Sequence, residues 1–180
     1  MSTVEPIRKI SDIEKIEKNL KSKNFRDYVL FKFGVNWGLR ISDILKLNIK
    51  DVKNKKFILL RETKTKKLRK IPLNKSLKKI FKTYTKDKEA NAPLFVSVRG
   101  YRLERVSAYR IIRAACLEVG IDSIVGTHTL RKTFGYHFYH KYNNVVMLQK
   151  IFNHSNPAIT LRYIGITDDE IYKSYMNFDL

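Results

Sequence analysis

Gly38-Leu39-Arg40-Ile41-Ser42-Asp43-Ile44-Leu45-Lys46-Leu47 sets an arginine at a corner between two helices. Gly38 ends the first, because glycine enters left-handed backbone without a Cβ clash. Ser42 and Asp43 begin the second, a short helix from about Ile41 to Leu47. Its Ile41, Ile44, Leu45 and Leu47 are core candidates. Just upstream, Asn24 is placed to cap a helix in which Tyr28, Val29, Phe31 and Phe33 lead to Trp37. Gly34 lies inside that helix, where glycine is disfavoured. Further upstream, Ser11 with Glu14 three residues on has the form of a capping box. Ile13, Ile16 and Leu20 follow it at helical spacing.

Downstream of the corner the period changes. Phe57–Leu60 and Leu68–Leu73 are short β-prone runs joined by the polar, basic connection Arg61–Lys67. They predict an antiparallel hairpin with an exposed basic tip. A helix around Leu77–Tyr84 comes next, then a polar loop over Thr85–Ala92 and a brief apolar run, Pro93–Val98. The second half is helical again, over about Arg105–Val119, His128–His140, Val145–Phe152, Ala158–Tyr163 and Asp168–Asn177. Gly120 and Gly126 punctuate it, and Pro157 stands where a helix can start. The expected fold class is mainly α with a small antiparallel β-sheet, in one domain.

Composition narrows the function. The 180 residues carry 37 Lys and Arg against 17 Asp and Glu, a formal charge of +20. A compact domain with that excess seeks a polyanion, nucleic acid first and an anionic membrane surface second. The basic residues are spread along the chain, as on the charged face of a folded body. Cys116 is the single cysteine, so neither a disulfide framework nor a thiolate metal cluster is available within the chain. No apolar run approaches the ~18 residues of a spanning helix. The N-terminal stretch is charged where a secretory signal would be apolar.

Four short segments carry side chains suited to phosphate chemistry. Arg40 stands at the corner already described. Lys64, Lys66 and Lys67 crowd the hairpin tip, from which a lysine can enter a groove. His128 and Arg131, in His128-Thr129-Leu130-Arg131, lie three apart and share a helix face, with Leu130 turned to the core. A guanidinium and an imidazole converging on one point make a phosphate receptor. The fourth segment is Phe152-Asn153-His154-Ser155, with Tyr163 nine residues after His154. A phenol can attack phosphorus when it is aimed and its proton has somewhere to go.

Taken in order, Arg40, Lys64, His128-x-x-Arg131, His154 and Tyr163 resemble the catalytic domain of tyrosine recombinases, the phage-integrase family. The resemblance runs from about Ile13 to Tyr163. Gly38–Leu47 is similar to the family's first arginine box. Thr63-Lys64-Thr65, with the strand ending Ile71-Pro72-Leu73, is similar to its hairpin lysine segment. Lys132 stands where many members have a histidine, and Asn153 where many have glycine; Asn tolerates left-handed backbone.

The resemblance implies the tyrosine recombinase catalytic-domain fold and DNA strand transfer through a covalent 3′-phosphotyrosyl intermediate. It makes Tyr163 the nucleophile and sets Arg40 and Arg131 on the non-bridging oxygens. His128 assists proton transfer from Tyr163, His154 bonds a phosphate oxygen, and Lys64 is general acid to the leaving 5′-oxygen. No cofactor and no metal is implied. The implied partner is double-stranded DNA, with a homo-tetramer forming on paired sites, a monomer in free solution, no membrane, and a cytoplasmic, nucleoid-associated location. Residues 1–180 are expected to be a single catalytic domain without the family's N-terminal core-binding domain. The tail Ile164–Leu180 offers Ile171, Tyr172, Tyr175 and Met176 for an apolar helix face, packed either on a neighbouring protomer or in cis. Two other functions remain open at this point: a DNA relaxase of type IB topoisomerase character, and a catalytically idle DNA-binding module.

Overall fold

The computed structural model describes residues 4–63, 66–122, 124–166, 172 and 175–179. Three helices form its centre. Helix α1 (Ile10–Lys23) packs on α2 (Phe25–Trp37), and α2 packs on α7 (Thr129–Tyr142). Asn24 caps α2 as expected, its side-chain oxygen accepting from the backbone N–H of Arg26 and Asp27. Ser11 does not cap α1. That helix begins one residue earlier, from an extended Lys9 without a side-chain cap, so Ser11 lies inside the first turn. The stripe behind it behaves as read, with Ile16 and Leu20 buried.

Gly34 has a packing reason. A Cβ there would come within 2.4 Å of Leu130 Cδ1. The missing side chain lets α7 approach α2 at the residue next to Arg131. Gly38 ends α2 in left-handed backbone, φ 57°. The corner then turns into α3 (Ile41–Leu45), shorter than expected, and a further short helix, α4 (Ile49–Val52). Leu47 is buried although it lies outside α3.

The hairpin is present. Strands β1 (Phe57–Arg61) and β2 (Leu68–Pro72) pair antiparallel, Ile58 opposite Ile71 and Leu60 opposite Arg69. Ile58, Leu60 and Ile71 face the core. Helix α5 (Lys75–Tyr84) lies on α2 through Phe81, whose ring meets Phe33 edge-on at 5.3 Å. Helix α6 (Arg105–Glu118) covers α1 and α3.

Most buried apolar residues belong to one cluster that ends at Leu130. A second, smaller cluster forms around Leu148, Phe152 and Ile164, between α7, α8 (Val145–Phe152) and α9 (Pro157–Ile164). Helix α7 thus starts in one cluster and ends in the other. The segment before α1 crosses it, Ile7 N–H donating to Thr133 Oγ1 at 2.9 Å. The expected terminal helix, Asp168–Asn177, lies mostly outside the described residues; its Tyr172, Tyr175 and Met176 are exposed. Among the described residues no helix is long and apolar enough to cross a membrane.

The Gly34–Leu130 approach sets an expectation. Gly34→Ala gains about 1 kcal/mol of helix preference, yet the added methyl overpacks a sealed contact, at about 1–3 kcal/mol. We expect a net loss of stability, seen as a lower urea midpoint at unchanged m-value.

Candidate active site

Among the described residues Arg131 is the most deeply buried cation, 2% exposed. Its two terminal nitrogens donate to backbone carbonyls, one to Gly38 O and the other to Phe152 O at 2.9 Å. The guanidinium lies over the Phe152 ring, 4.2 Å from its centroid. Burial pushes its pKa down to about 10, which leaves it cationic at neutral pH. One side chain therefore ties the end of α2, the end of α8 and the start of α7 to a single point. Each terminal nitrogen keeps a second hydrogen for another acceptor.

Tyr163 and both histidines gather around that point. Helix α9 is aimed by Asn156, which caps it by accepting from Ile159 N–H at 2.9 Å, and by Pro157 in its first turn. Tyr163 Oη lies 3.1 Å from His128 Nδ1. His128 is the N-cap of α7 rather than part of the helix, and still converges with Arg131. His154 Nδ1 lies 3.0 Å from the buried Thr160 Oγ1. Its ring stands edge-on to Tyr163, centroids 5.2 Å apart. Asn153 makes the turn before it in left-handed backbone, φ 53°.

The electrostatics favour neutral partners. Desolvation raises the Tyr163 pKa above the ordinary phenol value, partly offset by Arg131 and Arg40. Desolvation lowers that of His128, helped by Arg131, Arg105, Lys132 and Arg40. At neutral pH an uncharged imidazole thus faces an uncharged phenol. With the Nδ1 lone pair free, the imidazole can accept a hydrogen bond from the phenol.

Arg40 reaches the group from the corner before α3. Its guanidinium bonds Glu62 Oε2 at 3.2 Å, and Glu62 Oε1 accepts from Arg69 of β2 at 2.8 Å. Glu62 is 1% exposed, although it lies within the stretch read as an exposed basic tip. That part of the reading is corrected: an isolated acid amid cations turns inward because two arginines behind the hairpin require a counter-charge. Asp43 is also fully buried. Its Oδ1 accepts from Thr63 N–H at 2.9 Å and from Thr63 Oγ1 at 2.7 Å, while Arg40 stands 4.0 Å from Oδ2. Two carboxylates therefore fasten the base of the hairpin tip to the arginine corner. The only sequence signal for Glu62 was its negative charge in a run of positive ones.

Arg40, His128, Arg131, His154 and Tyr163 come together as the sequence suggested. Lys64 lies outside the described residues. Of its neighbours, Lys66 is exposed and Lys67 Nζ bonds Asn153 Oδ1 at 3.2 Å, beside His154. Lys132 is buried, its Nζ 5.4 Å from the centre of the Tyr163 ring. With Val4, His128, Ile159, Arg162 and Tyr163 it lines a cavity of about 490 Å³.

The sequence model of the phage integrase family matches residues 7–170. The chain belongs to that family. Its fold is that of a tyrosine recombinase catalytic domain. It is 51% identical over 179 residues to the probable integrase/recombinase YoeC of Bacillus subtilis, covering 99% of this chain and 98% of that protein. A tyrosine recombinase of Pseudothermotoga lettingae is 28% identical over 161 residues, 89% of this chain and 56% of that protein. The chain thus spans YoeC almost fully and little more than half of the longer relative. The crystal structure of XerA recombinase superposes with a TM-score of 0.79 at 23% identity, over 98% of this chain and 65% of that one.

Removing Glu62 tests the carboxylate clamp. Glu62→Ala removes the carboxylate between Arg40 and Arg69 and leaves only Asp43, 4.0 Å from Arg40, at a cost on the order of 3 kcal/mol. Chemical denaturation should register that loss, and Glu62→Gln should lose less, because its amide oxygen still accepts.

Proposed function

We propose that this chain is a site-specific DNA recombinase that cleaves and rejoins strands by transesterification. The observation that carries the reading is the 3.1 Å contact between His128 Nδ1 and Tyr163 Oη beside two arginines. A phenol with a proton acceptor on one side and guanidinium groups on the other is arranged for attack on a phosphodiester.

In the first step Tyr163 Oη bonds to phosphorus and the P–O5′ bond breaks. The phenolic proton passes to His128. The departing 5′-oxygen takes a proton from Lys64, or from Lys66 or Lys67 on the same hairpin tip. Arg40 and Arg131 receive the charge that builds on the non-bridging oxygens, in a geometry that guanidinium fits better than ammonium. His154 donates to one of those oxygens from Nε2, with Nδ1 directed to Thr160. The bond energy stays in the 3′-phosphotyrosyl link, so a 5′-hydroxyl of a partner strand can reverse the attack.

The substrate in this reading is duplex DNA, and the chain acts with the nucleoid in the cytoplasm. Exchange between two duplexes requires four active sites, which a tetramer on paired sites supplies from chains that are monomeric when free. Residues 1–180 act as one catalytic domain, supported by α7 running through both apolar clusters.

A suicide half-site whose cleaved fragment diffuses away traps the covalent complex. Denaturing electrophoresis across candidate sites should show it with the parent chain and lose it in Tyr163→Phe. Binding without any covalent product would make the chain an idle module, and relaxation of any supercoiled plasmid would make it a relaxase. Arg131→Lys should slow cleavage by roughly 10²–10³ while DNA is still bound. The pH profile follows from His128. Its pKa lies below the ordinary histidine value of about 6.5, and the neutral form is the acceptor. Cleavage should hold through neutral pH and fall only below 6.5, as His128 becomes protonated.

A further inference from the structure

Lysines and arginines run the length of the chain, but their counter-charges do not. Residues 50–86 hold thirteen lysines and two arginines against two carboxylates, Asp51 and Glu62. Both carboxylates are engaged: Asp51 accepts from Asn48 N–H at 2.8 Å, and Glu62 holds Arg40 and Arg69. Within this segment α5 sets Lys75, Lys78, Lys79 and Lys82 at i, i+3, i+4 and i+7, which is one helix face. All four are exposed. Among the described residues none of them pairs with a carboxylate.

The patch extends past both ends of α5. Lys53 Nζ donates to the carbonyls of Lys86 and Lys88 at 3.3 and 3.2 Å, which joins the end of α4 to the end of α5. Leu73 N–H donates to Lys56 O at 2.9 Å, which sets the exposed Lys55 and Lys56 beside its start. Like charges at these spacings weaken a helix. Here Asn74 caps it, its side chain accepting from Leu77 N–H, and the buried Leu77, Phe81 and Tyr84 hold it on the core.

This surface is separate from the reacting group. Helix α5 packs on α2 through Phe81, whereas the reacting group is built on the start of α7, the end of α8 and α9. The chemistry of the lysine face selects the partner. A row of ammonium groups about 10 Å long from Lys75 to Lys82, at 1.5 Å per residue, suits a rigid, repeating anion. A membrane-binding helix would need its apolar side free to enter lipid, and that side of α5 is sealed against Phe33 and Trp37.

We propose that the lysine face of α5, extended by Lys55 and Lys56, is a second docking surface for the backbone of duplex DNA. It takes duplex outside the segment held at Tyr163, and rests on the DNA reading above. Such a contact adds affinity and salt dependence but little sequence information.

The test is the fourfold variant Lys75→Gln, Lys78→Gln, Lys79→Gln and Lys82→Gln, beside a fourfold Lys→Arg control. Each is titrated against a long duplex of arbitrary sequence over a range of salt. The expected result is roughly tenfold or more weaker binding for the Gln variant, with a log–log salt slope shallower by about 3, near 0.9 per phosphate released. The Arg control keeps parent values. Covalent trapping of a short half-site stays within about twofold of the parent, because that substrate spans only the reacting segment. An unchanged long-duplex affinity and slope overturns the proposal. So does a parallel loss of covalent trapping, which would place α5 in the reaction interface. Loss of binding to phosphatidylglycerol vesicles with DNA binding intact would assign the face to membranes instead. A parent chain that traps no half-site would fail the recombinase reading, while the long-duplex slopes would still decide this one.

Discussion

A buried guanidinium organises this protein. Arg131 lies among apolar side chains, where an unpartnered charge would be expensive. Its partners are the carbonyls of Gly38 and Phe152, which come from distant parts of the chain. Both carbonyls stand at helix ends, where the backbone leaves acceptors unused. The guanidinium satisfies them and so fixes where α2 stops and where α8 hands over to the His154 turn. The same contacts hold the cation beside Tyr163, so its structural and chemical roles cannot be separated by geometry.

Charge balance extends that logic outward. Arg40, Arg69 and Arg131 near one point would repel without a counter-charge, and Glu62 supplies one from the back of the hairpin. Asp43 secures Thr63 instead of neutralising Arg40 at close range. The cluster keeps more cations than carboxylates, with Glu62 as a buried negative anchor between Arg40 and Arg69. A carboxylate on the open side would have competed with the substrate. Placed behind, it orients Arg40 and leaves the remaining donors free.

Burial first, and the same surplus of cations second, keep His128 neutral. A histidine beside a carboxylate would be charged and could not accept a proton from a phenol. Here the nearby charges acting on it are Arg131, Arg105, Lys132 and Arg40, all positive. The surplus thus adds to burial in holding the imidazole uncharged beside the phenol.

Local sequence determined most of the helices, the hairpin and which side chains gather around Arg131, although it did not signal α4. Asn24 acts through its side chain on the N–H groups of the next turn, and Gly38 and Asn153 through their own backbone, so all three could be read from neighbours alone. The i, i+3 spacing put His128 with Arg131 in the same way. Ser11 misled, because a capping pattern one residue into a helix looks the same as one at its start. Tertiary structure alone decided that Glu62 turns inward, that Lys132 is buried against Tyr163, and that Gly34 exists to admit Leu130. Each of these depends on which distant segment arrives opposite, and burial of a charge is settled by partners that sequence distance does not reveal.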